Sequence, residues 1–171
     1  MTDMKAAIVR EMEAYFGDDK KRISHSHRVT GYAEELLEQE GGDPTIVAAA
    51  AILHDIGIHA AARIYGSAEG KYQETEGPPI AREILTRVGF PAGQIDEVCV
   101  IVAHHHSPGI VTTTNFKIVY DADWLVNFGD EGLRERYHGP DQDKLPDVIN
   151  KLFLTESGKR LARKIYLDGK G

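Results

Sequence analysis

Apolar residues recur at helical spacing along almost the whole chain, and this periodicity limits the possible folds more than any other feature. An apolar residue at every third or fourth position is typical of an amphipathic helix. The pattern predicts helices near 3–16, 19–40, 43–56, 74–89, 91–106, 115–128, 130–137, 145–154 and 156–168. The single strand-like run, "GIVTTT", has no second run with which to pair. We therefore expect an all-α fold, a bundle of roughly 7–9 helices.

The punctuation between the helices supports this division. Asp43 and Pro44 are suited to the N-cap and the first position of a helix, and Gly57 is suited to ending one. Two connections, near 57–73 and 107–114, have no helical period and could frame the mouth of a pocket. A chain of 171 residues fits one domain. We predict a single domain over 1–171, with a metal-binding core at about 20–128 and C-terminal helices over 130–168.

Composition excludes some classes of partner. The net charge of −7 is unfavourable for binding a nucleic-acid polymer, which usually requires a basic surface. We see no run of the ~20 apolar residues that a membrane-spanning helix needs, and no signal peptide at the N-terminus. The single cysteine, Cys99, permits no internal disulfide and fits a reducing compartment. We therefore expect a cytoplasmic protein with no membrane partner; its oligomeric state does not follow from the sequence.

Two histidines near the start of the second helix differ in orientation. His25 shares its helical stripe with apolar residues such as Val29 and Leu36, so it points inward. His27 shares its stripe with Glu34 and other polar residues, so it points to solvent. His25 alone is a candidate ligand.

Further inward-facing polar residues end other apolar helices. His54 closes the stripe of the third helix and Asp55 follows it. The fifth helix ends in "AHHHS", in which His104 and His105 continue the apolar stripe and His106 is expected to face outward. The sixth contains Asp121 and Asp123 within an apolar pattern, and periodicity does not separate these two acids. No role follows for His59 or His106.

These side chains come from four helices and together indicate a metal site. They are His25, His54, Asp55, His104, His105 and one of the two acids at 121 and 123. Nitrogen and oxygen ligands suit divalent Fe, Mn, Co, Ni or Zn, and the lack of cysteine among them is unfavourable for a structural zinc site.

Three motifs, "HSHRV", "LHDIG" and "DADWL", resemble in order and spacing those of the HD-domain superfamily of metal-dependent phosphohydrolases. The resemblance covers about residues 20–128 and implies an all-α fold. It also implies that His25, His54, Asp55 and Asp123 bind one metal ion, with Asp123 preferred over Asp121.

The same resemblance allows a second ion. In two-metal members a late histidine pair contributes ligands, which implies His104 and His105 here. Those members also have a histidine before Gly-Pro, where this chain has Glu76, so Glu76 is the expected third ligand. The chain has Ile58 where members that cleave cyclic dinucleotides have lysine, and it lacks their Gly-Tyr-Pro motif.

The expected function is hydrolysis of a small phosphate ester, with a nucleotide as the expected substrate, by a phosphomonoesterase or phosphodiesterase that uses metal-activated water. Asp55 would orient or deprotonate the water, and His104 or His105 would protonate the leaving oxygen. Arg28 and Lys117, together with Arg63, are candidates for holding the phosphate. The alternatives are a non-catalytic metal-containing nucleotide sensor and a di-iron oxygenase on the same fold.

Overall fold

The computed structural model describes residues 2–168. The expected all-α fold class is confirmed, because this part of the chain forms helices, turns and loops and contains no strand. The α-helices are α1 (Thr2–Phe16), α2 (Lys20–Glu40), α3 (Pro44–Leu53), α4 (Ile58–Tyr65), α5 (Gly70–Arg87), α6 (Ala92–His104), α7 (Thr114–Asn127), α8 (Glu131–His138), α9 (Leu145–Leu152) and α10 (Glu156–Arg163). A short 3-10 segment precedes α9 and a π segment follows α10. Residues 1 and 169–171 of the predicted domain lie outside the described residues.

The sequence predicted a connection without helix over 57–73, but the structure has helical segments there. This stretch contains α4, and α5 begins at Gly70, four residues before the expected start. Helix α4 is a short segment whose residues Ile58, Ala60 and Ala61 are buried, so packing stabilises a helix too short to show a clear period. The predicted loop between α6 and α7 is present.

Helix α3 forms the centre of the fold. Its N-cap is Asp43, whose side chain accepts hydrogen bonds from the backbone N–H groups of Thr45 and Ile46, and Pro44 occupies the first turn as expected. The helix packs against α1, α2, α6 and α7, and seven of its residues are buried, from Ile46 to Leu53. This central position explains why the sequence from Ile46 to Leu53 is apolar on all sides.

Two glycines allow α5 to approach the end of α3. A Cβ atom built on Gly57 would lie 2.6 Å from the backbone nitrogen of Gly77 and 2.6 Å from the carbonyl oxygen of Gln73. A Cβ atom on Gly77 would lie 2.8 Å from a methyl group of Val102 in α6. The missing side chains therefore bring the first half of α5 directly against the turn that follows α3.

Asp121 and Glu40 attach the C-terminal helices to the rest of the fold. The buried carboxylate of Asp121 accepts hydrogen bonds from the backbone N–H groups of Leu154 and Thr155, at 2.8 Å each, and from the Thr155 hydroxyl. Glu40, at the end of α2, accepts one from the backbone N–H of Ser157 at 2.9 Å. Burial raises the pKa of Asp121 to about 6. Asp121 therefore serves to hold the start of α10.

The segment Pro44–Tyr65 is long and apolar enough, by composition, to cross a membrane, contrary to the expectation from the sequence. In the structure 78% of its most apolar window is buried inside the protein. A turn over residues 54–57 also divides it into α3 and α4. A segment buried to this extent is typical of a helix in the core of a folded domain. Length and composition alone are weak support for a membrane span.

Candidate metal centre

The turn between α3 and α4 presents two polar side chains at the end of the central helix. His54 directly follows α3, and Asp55 is the next residue. The backbone N–H groups of Ile56 and Ile58 bond to the carbonyls of Leu53 and Asp55, so the turn is tightly closed. His25 approaches from α2 and Asp123 from α7, and both helices pack beside α3.

The four predicted metal ligands come together in this structure. The Nε2 atom of His25 lies 3.3 Å from Nε2 of His54 and 3.0 Å from Oδ1 of Asp123. Oδ2 of Asp55 lies 3.4 Å from Nε2 of His25 and 3.4 Å from Nε2 of His54. Oδ1 of Asp123 is also 3.4 Å from Nε2 of His54. We call these four residues the first group.

These separations are the ones that a bound divalent cation requires. Two ligands with bonds of about 2.1 Å lie about 3.0 Å apart at an octahedral angle and about 3.4 Å apart at a tetrahedral angle. The measured pairs span 3.0–3.4 Å. Nitrogen and carboxylate oxygen are donors that suit a borderline or hard divalent ion. The first group therefore fits a divalent cation.

The hydrogen bonds and charges around the first group favour a positive charge there. Nδ1 of the fully buried His54 donates to the carbonyl oxygen of Ala51 at 2.7 Å, so Nε2 is the nitrogen that faces the group. Burial opposes a charge on His54, but Asp55 and Asp123 raise its pKa well above the usual value. Burial alone would raise the pKa of Asp123, yet His54 and the hydrogen bond from His25 bring it below the usual value. The acids thus favour a cation at this point.

A second group shares Asp55 with the first. One ligand atom each from Asp55, His105 and His106 lie within 4.8 Å of one another. Nε2 of His105 is 3.4 Å from Oδ1 of Asp55, the carboxylate oxygen that does not face His25 and His54. That nitrogen is buried and has no hydrogen-bond partner. Desolvation lowers the pKa of His106 to about 4, so this ring is neutral near pH 7 although the residue as a whole is exposed.

His104 and His106 occupy positions opposite to those expected. The ring of His104 joins neither group, whereas the ring of His106 packs on that of His105 with centroids 4.0 Å apart. The physical reason is that α6 ends at His104, so His105 and His106 lie in a turn where helical phase no longer applies. The histidines at the end of α6 that come together with Asp55 are therefore His105 and His106, and His104 does not join them.

Glu76 does not reach the site, contrary to expectation. Its carboxylate accepts a hydrogen bond from the Tyr65 hydroxyl at 2.9 Å, in an exposed contact. Because α5 starts at Gly70, the face that it turns to the site carries Gly70, Gln73 and Gly77, and Glu76 lies on the adjacent face. Gln73 takes the place expected for Glu76 near the second group, since its side chain contacts His106.

The other histidines lie apart from both groups. His27 is exposed and pairs with Glu13 at 2.8 Å, in the outward orientation that its stripe predicts. His59, for which no role was predicted, pairs with Asp19 at 2.8 Å and packs edge-on against Phe16.

Cations near the first group are not the expected ones. Lys117 lies in the first turn of α7, where its positive charge helps to lower the pKa of Glu40. Glu40 ends α2 and is about 22 Å along that helix from His25, at a rise of 1.5 Å per residue. Arg28 is exposed and comes close to Gly129. Arg63 lies near Tyr15, where its charge opposes the rise in the pKa of Tyr15 that burial causes. In the described part of the chain, neither Arg28 nor Lys117 contacts the first group.

Arg22 is the cation that reaches the first group, and the sequence prediction missed it. Its guanidinium lies 3.9 Å from Oδ2 of Asp55, and a third of its side chain is exposed. Asp19 caps the backbone N–H of Arg22 and so fixes the first turn of α2. Its spacing in the sequence could have identified Arg22, because it precedes His25 by three residues and therefore lies on the same face of α2.

Fold and site together define an all-α protein with a cluster of histidine and aspartate side chains that could hold a divalent cation. Comparison with known proteins agrees with this class. The sequence profile of the HD domain matches residues 22–127, which is more than half of the chain, and no match is found among curated proteins. This protein belongs to the HD-domain family.

Two solved structures are similar over almost the whole chain. The crystal structure of a predicted HD superfamily hydrolase from an uncultured Thermotogales bacterium has a TM-score of 0.67 and 28% identity, covering 97% of this chain and 84% of that one. An HD-superfamily hydrolase from Bacillus thuringiensis has a TM-score of 0.67 and 21% identity, covering 98% and 93%. The second match, at that identity, supports the fold alone.

Proposed function

We propose that this protein is a metal-dependent hydrolase that cleaves small phosphate esters. The HD superfamily fold supports a metal-dependent hydrolase in general terms. The observation that carries the finer proposal is the first group: four nitrogen and oxygen donors at cation spacing, with the guanidinium of Arg22 beside them. A metal site with an arginine next to it suits a phosphate anion, since guanidinium pairs well with phosphoryl oxygens.

His25, His54, Asp55 and Asp123 would hold the ion, which is one of the divalent metals Fe, Mn, Co, Ni or Zn. A bound divalent cation lowers the pKa of water and polarises a phosphoryl oxygen. Asp55 has a second oxygen turned away from His25 and His54, so it can accept a hydrogen bond from the attacking water and orient it.

Arg22 is proposed as the phosphate anchor. In the structure its guanidinium is held near Asp55 at the long distance of 3.9 Å, which leaves donors free for a substrate. The chain has a net charge of −7, so an anionic substrate meets an acidic protein and depends on local cations. Arg22 supplies such a cation directly at the metal group.

In hydrolysis the oxygen of the attacking water bonds to phosphorus while the bond between phosphorus and the ester oxygen breaks. The water gives up one proton, and the leaving oxygen takes one. His105 is poorly suited to donate it, because its ring is buried and its Nε2 faces Asp55. We assign His105 to cation binding instead. His104 is half-buried at the end of α6, and because its ring joins neither group its role as proton donor stays a prediction from the sequence.

The test is a turnover assay on purified protein loaded with Mn²⁺. The panel comprises p-nitrophenyl phosphate, bis-p-nitrophenyl phosphate and the common nucleotides, which separates monoesterase from diesterase activity and tests nucleotides as the substrate class. We expect hydrolysis of at least one compound that Asp55→Ala abolishes and His27→Ala leaves unchanged. Tight nucleotide binding without turnover would instead support a sensor, and turnover that survives chelation would contradict the proposal.

A further inference from the structure

The first turn of α5 packs against one side of the ring of His106. A Cβ atom built on Gly70 would lie 2.9 Å from Cγ of His106, so this glycine leaves the space that the ring fills. Gln73 contacts the ring, and Glu74 accepts hydrogen bonds from the backbone N–H of His106 and the hydroxyl of Ser107, at 2.9 Å each. Residues 70, 73 and 74 share one helical face, so a single surface of α5 fixes the position of His106.

The contacts of Gln73 also fix which nitrogen of His106 carries the proton. The Nε2 amide of Gln73 donates to the carbonyl oxygen of Ala68 at 2.6 Å, which sets the direction of the amide group. Oε1 of Gln73 must then face His106, and it lies 3.0 Å from Nε2 of the ring. An amide oxygen can only accept, so Nε2 of His106 bears the hydrogen and Nδ1 bears the lone pair.

His105 has the opposite tautomer. Its Nδ1 donates to the carbonyl oxygen of Val102 at 2.7 Å, so its lone pair is on the buried Nε2 that has no hydrogen-bond partner. One nitrogen of the His106 ring lies within 4.8 Å of ligand atoms of Asp55 and His105, and because Nε2 carries the hydrogen held by Gln73, Nδ1 is the nitrogen of His106 that can bind a cation. The lone pairs on Nε2 of His105 and Nδ1 of His106, together with Oδ1 of Asp55, are then three acceptors with no donor among them. Two of the three residues, Asp55 and His105, are buried, and acceptors grouped in this way repel one another unless a cation lies between them.

We propose that Gln73 is a positioning residue: by holding the Nε2–H of His106, it turns the Nδ1 lone pair toward a second cation bound by Asp55, His105 and His106. The inference rests on the proposed function, because Asp55 is taken as a ligand of the first cation as well. Partners that fix the tautomer of a ligand histidine typically change metal affinity by about 10–100-fold.

Titration calorimetry with Mn²⁺ on the full chain tests the proposal. We expect two cations per wild-type chain, and at least tenfold weaker binding of the second in Gln73→Leu. Gln73→Glu keeps an acceptor for His106 while losing the contact with Ala68, so it should restore the second cation. Glu76→Gln, one turn further along α5, is the matched control and should bind as wild type. Equal binding of two cations by Gln73→Leu, or one cation in the wild type, would overturn the inference.

A second measurement excludes a merely structural effect. The ring ¹⁵N shifts of His106 in the metal-free protein report its tautomer. We expect Nε2–H in wild type and Gln73→Glu, and a mixture in Gln73→Leu, with an unchanged circular dichroism spectrum. Finding Nδ1–H in the wild type would contradict the proposal. Neither readout uses turnover: loss of activity with intact two-cation binding would refute only the function, and activity with one cation would refute only this inference.

Discussion

The Nε2 atom of His105 lies 3.4 Å from Oδ1 of Asp55, and it is a buried nitrogen without a hydrogen-bond partner. The other oxygen of the same carboxylate lies 3.4 Å from His25 and 3.4 Å from His54. Asp55 thus connects two groups of donors, one on each oxygen. Since it sits in the turn between α3 and α4, the turn geometry determines whether both groups can form.

Removal of bound metal should destabilise the wild-type protein. A cation that binds only the folded state adds about 2.7 kcal/mol at a concentration of 100 times its Kd. For a chain of this size we expect chelation to lower the Tm by about 5–10 °C. Differential scanning fluorimetry with and without EDTA measures this shift. His54→Ala should show almost none of it and His27→Ala all of it; equal shifts in both variants would argue against the first group as the metal site.

Replacement of Arg22 should weaken substrate use without removing metal. Hydrogen bonds to a charged partner contribute about 1.5–3 kcal/mol, so Arg22→Ala should lower kcat/KM for a phosphate ester by about 10–100-fold. Manganese binding measured by calorimetry should change little. Lys117→Ala is the control, because Lys117 lies at the far end of α2 and α7, and it should stay within about twofold. A larger loss in Lys117→Ala than in Arg22→Ala would reverse our assignment of the anchor.

The fold could be predicted in most of its elements because long amphipathic helices carry their own period. Asp43 and Pro44 marked the start of α3 correctly. Helix α4 was missed because eight residues give little more than two turns of pattern. The start of α5 was missed because Gly70, Gly77, Pro78 and Pro79 are poor helix formers in isolation, and tertiary contacts at Gly57 and Val102 select that helix.

The site could be predicted only where helical phase extends to the ligand. His25 and His54 followed from their stripes, and in the structure they form one group with Asp55, with Asp123 at 3.0 Å from His25. Periodicity does not separate Asp121 from Asp123, whereas the structure does, because Asp121 bonds to Thr155 and Asp123 contacts His25. His106 lies past the end of α6, and Gln73 depends on where α5 begins, so local periodicity could not have identified either.

The close contact of Gly57 with α5 should make an added methyl group costly. A Cβ atom there meets backbone atoms at 2.6 Å, which cannot move without displacing α5. We expect Gly57→Ala to lower the free energy of unfolding by about 1–3 kcal/mol, and to weaken metal binding as Asp55 shifts. The matched control is Gly31→Ala in α2, where nothing lies within 4 Å; there the better helix propensity should stabilise by about 1 kcal/mol. Urea denaturation measures both, and a neutral Gly57→Ala would refute the packing account.

Glu40 should give the attachment of α10 a dependence on pH. Hydrogen bonding from Ser157 lowers the pKa of Glu40 below its usual value. A carboxyl group with a depressed folded-state pKa stabilises the protein above its unfolded-state pKa of about 4.3, and this contribution is lost as the pH falls below that value. We expect Glu40→Gln to be less stable than wild type by about 1 kcal/mol at neutral pH, since a charged acceptor is replaced by a neutral amide.

The difference between wild type and Glu40→Gln should narrow as the pH falls from about 5 to about 3, because protonated Glu40 resembles glutamine. Urea denaturation at several pH values across this range measures it. Glu38→Gln, an exposed position near the end of the same helix, is the control, and its difference from wild type should stay small at every pH. A Glu40→Gln difference that is constant with pH would mean that the charge on Glu40 does not hold Ser157 and that α10 is attached through Asp121 and packing alone.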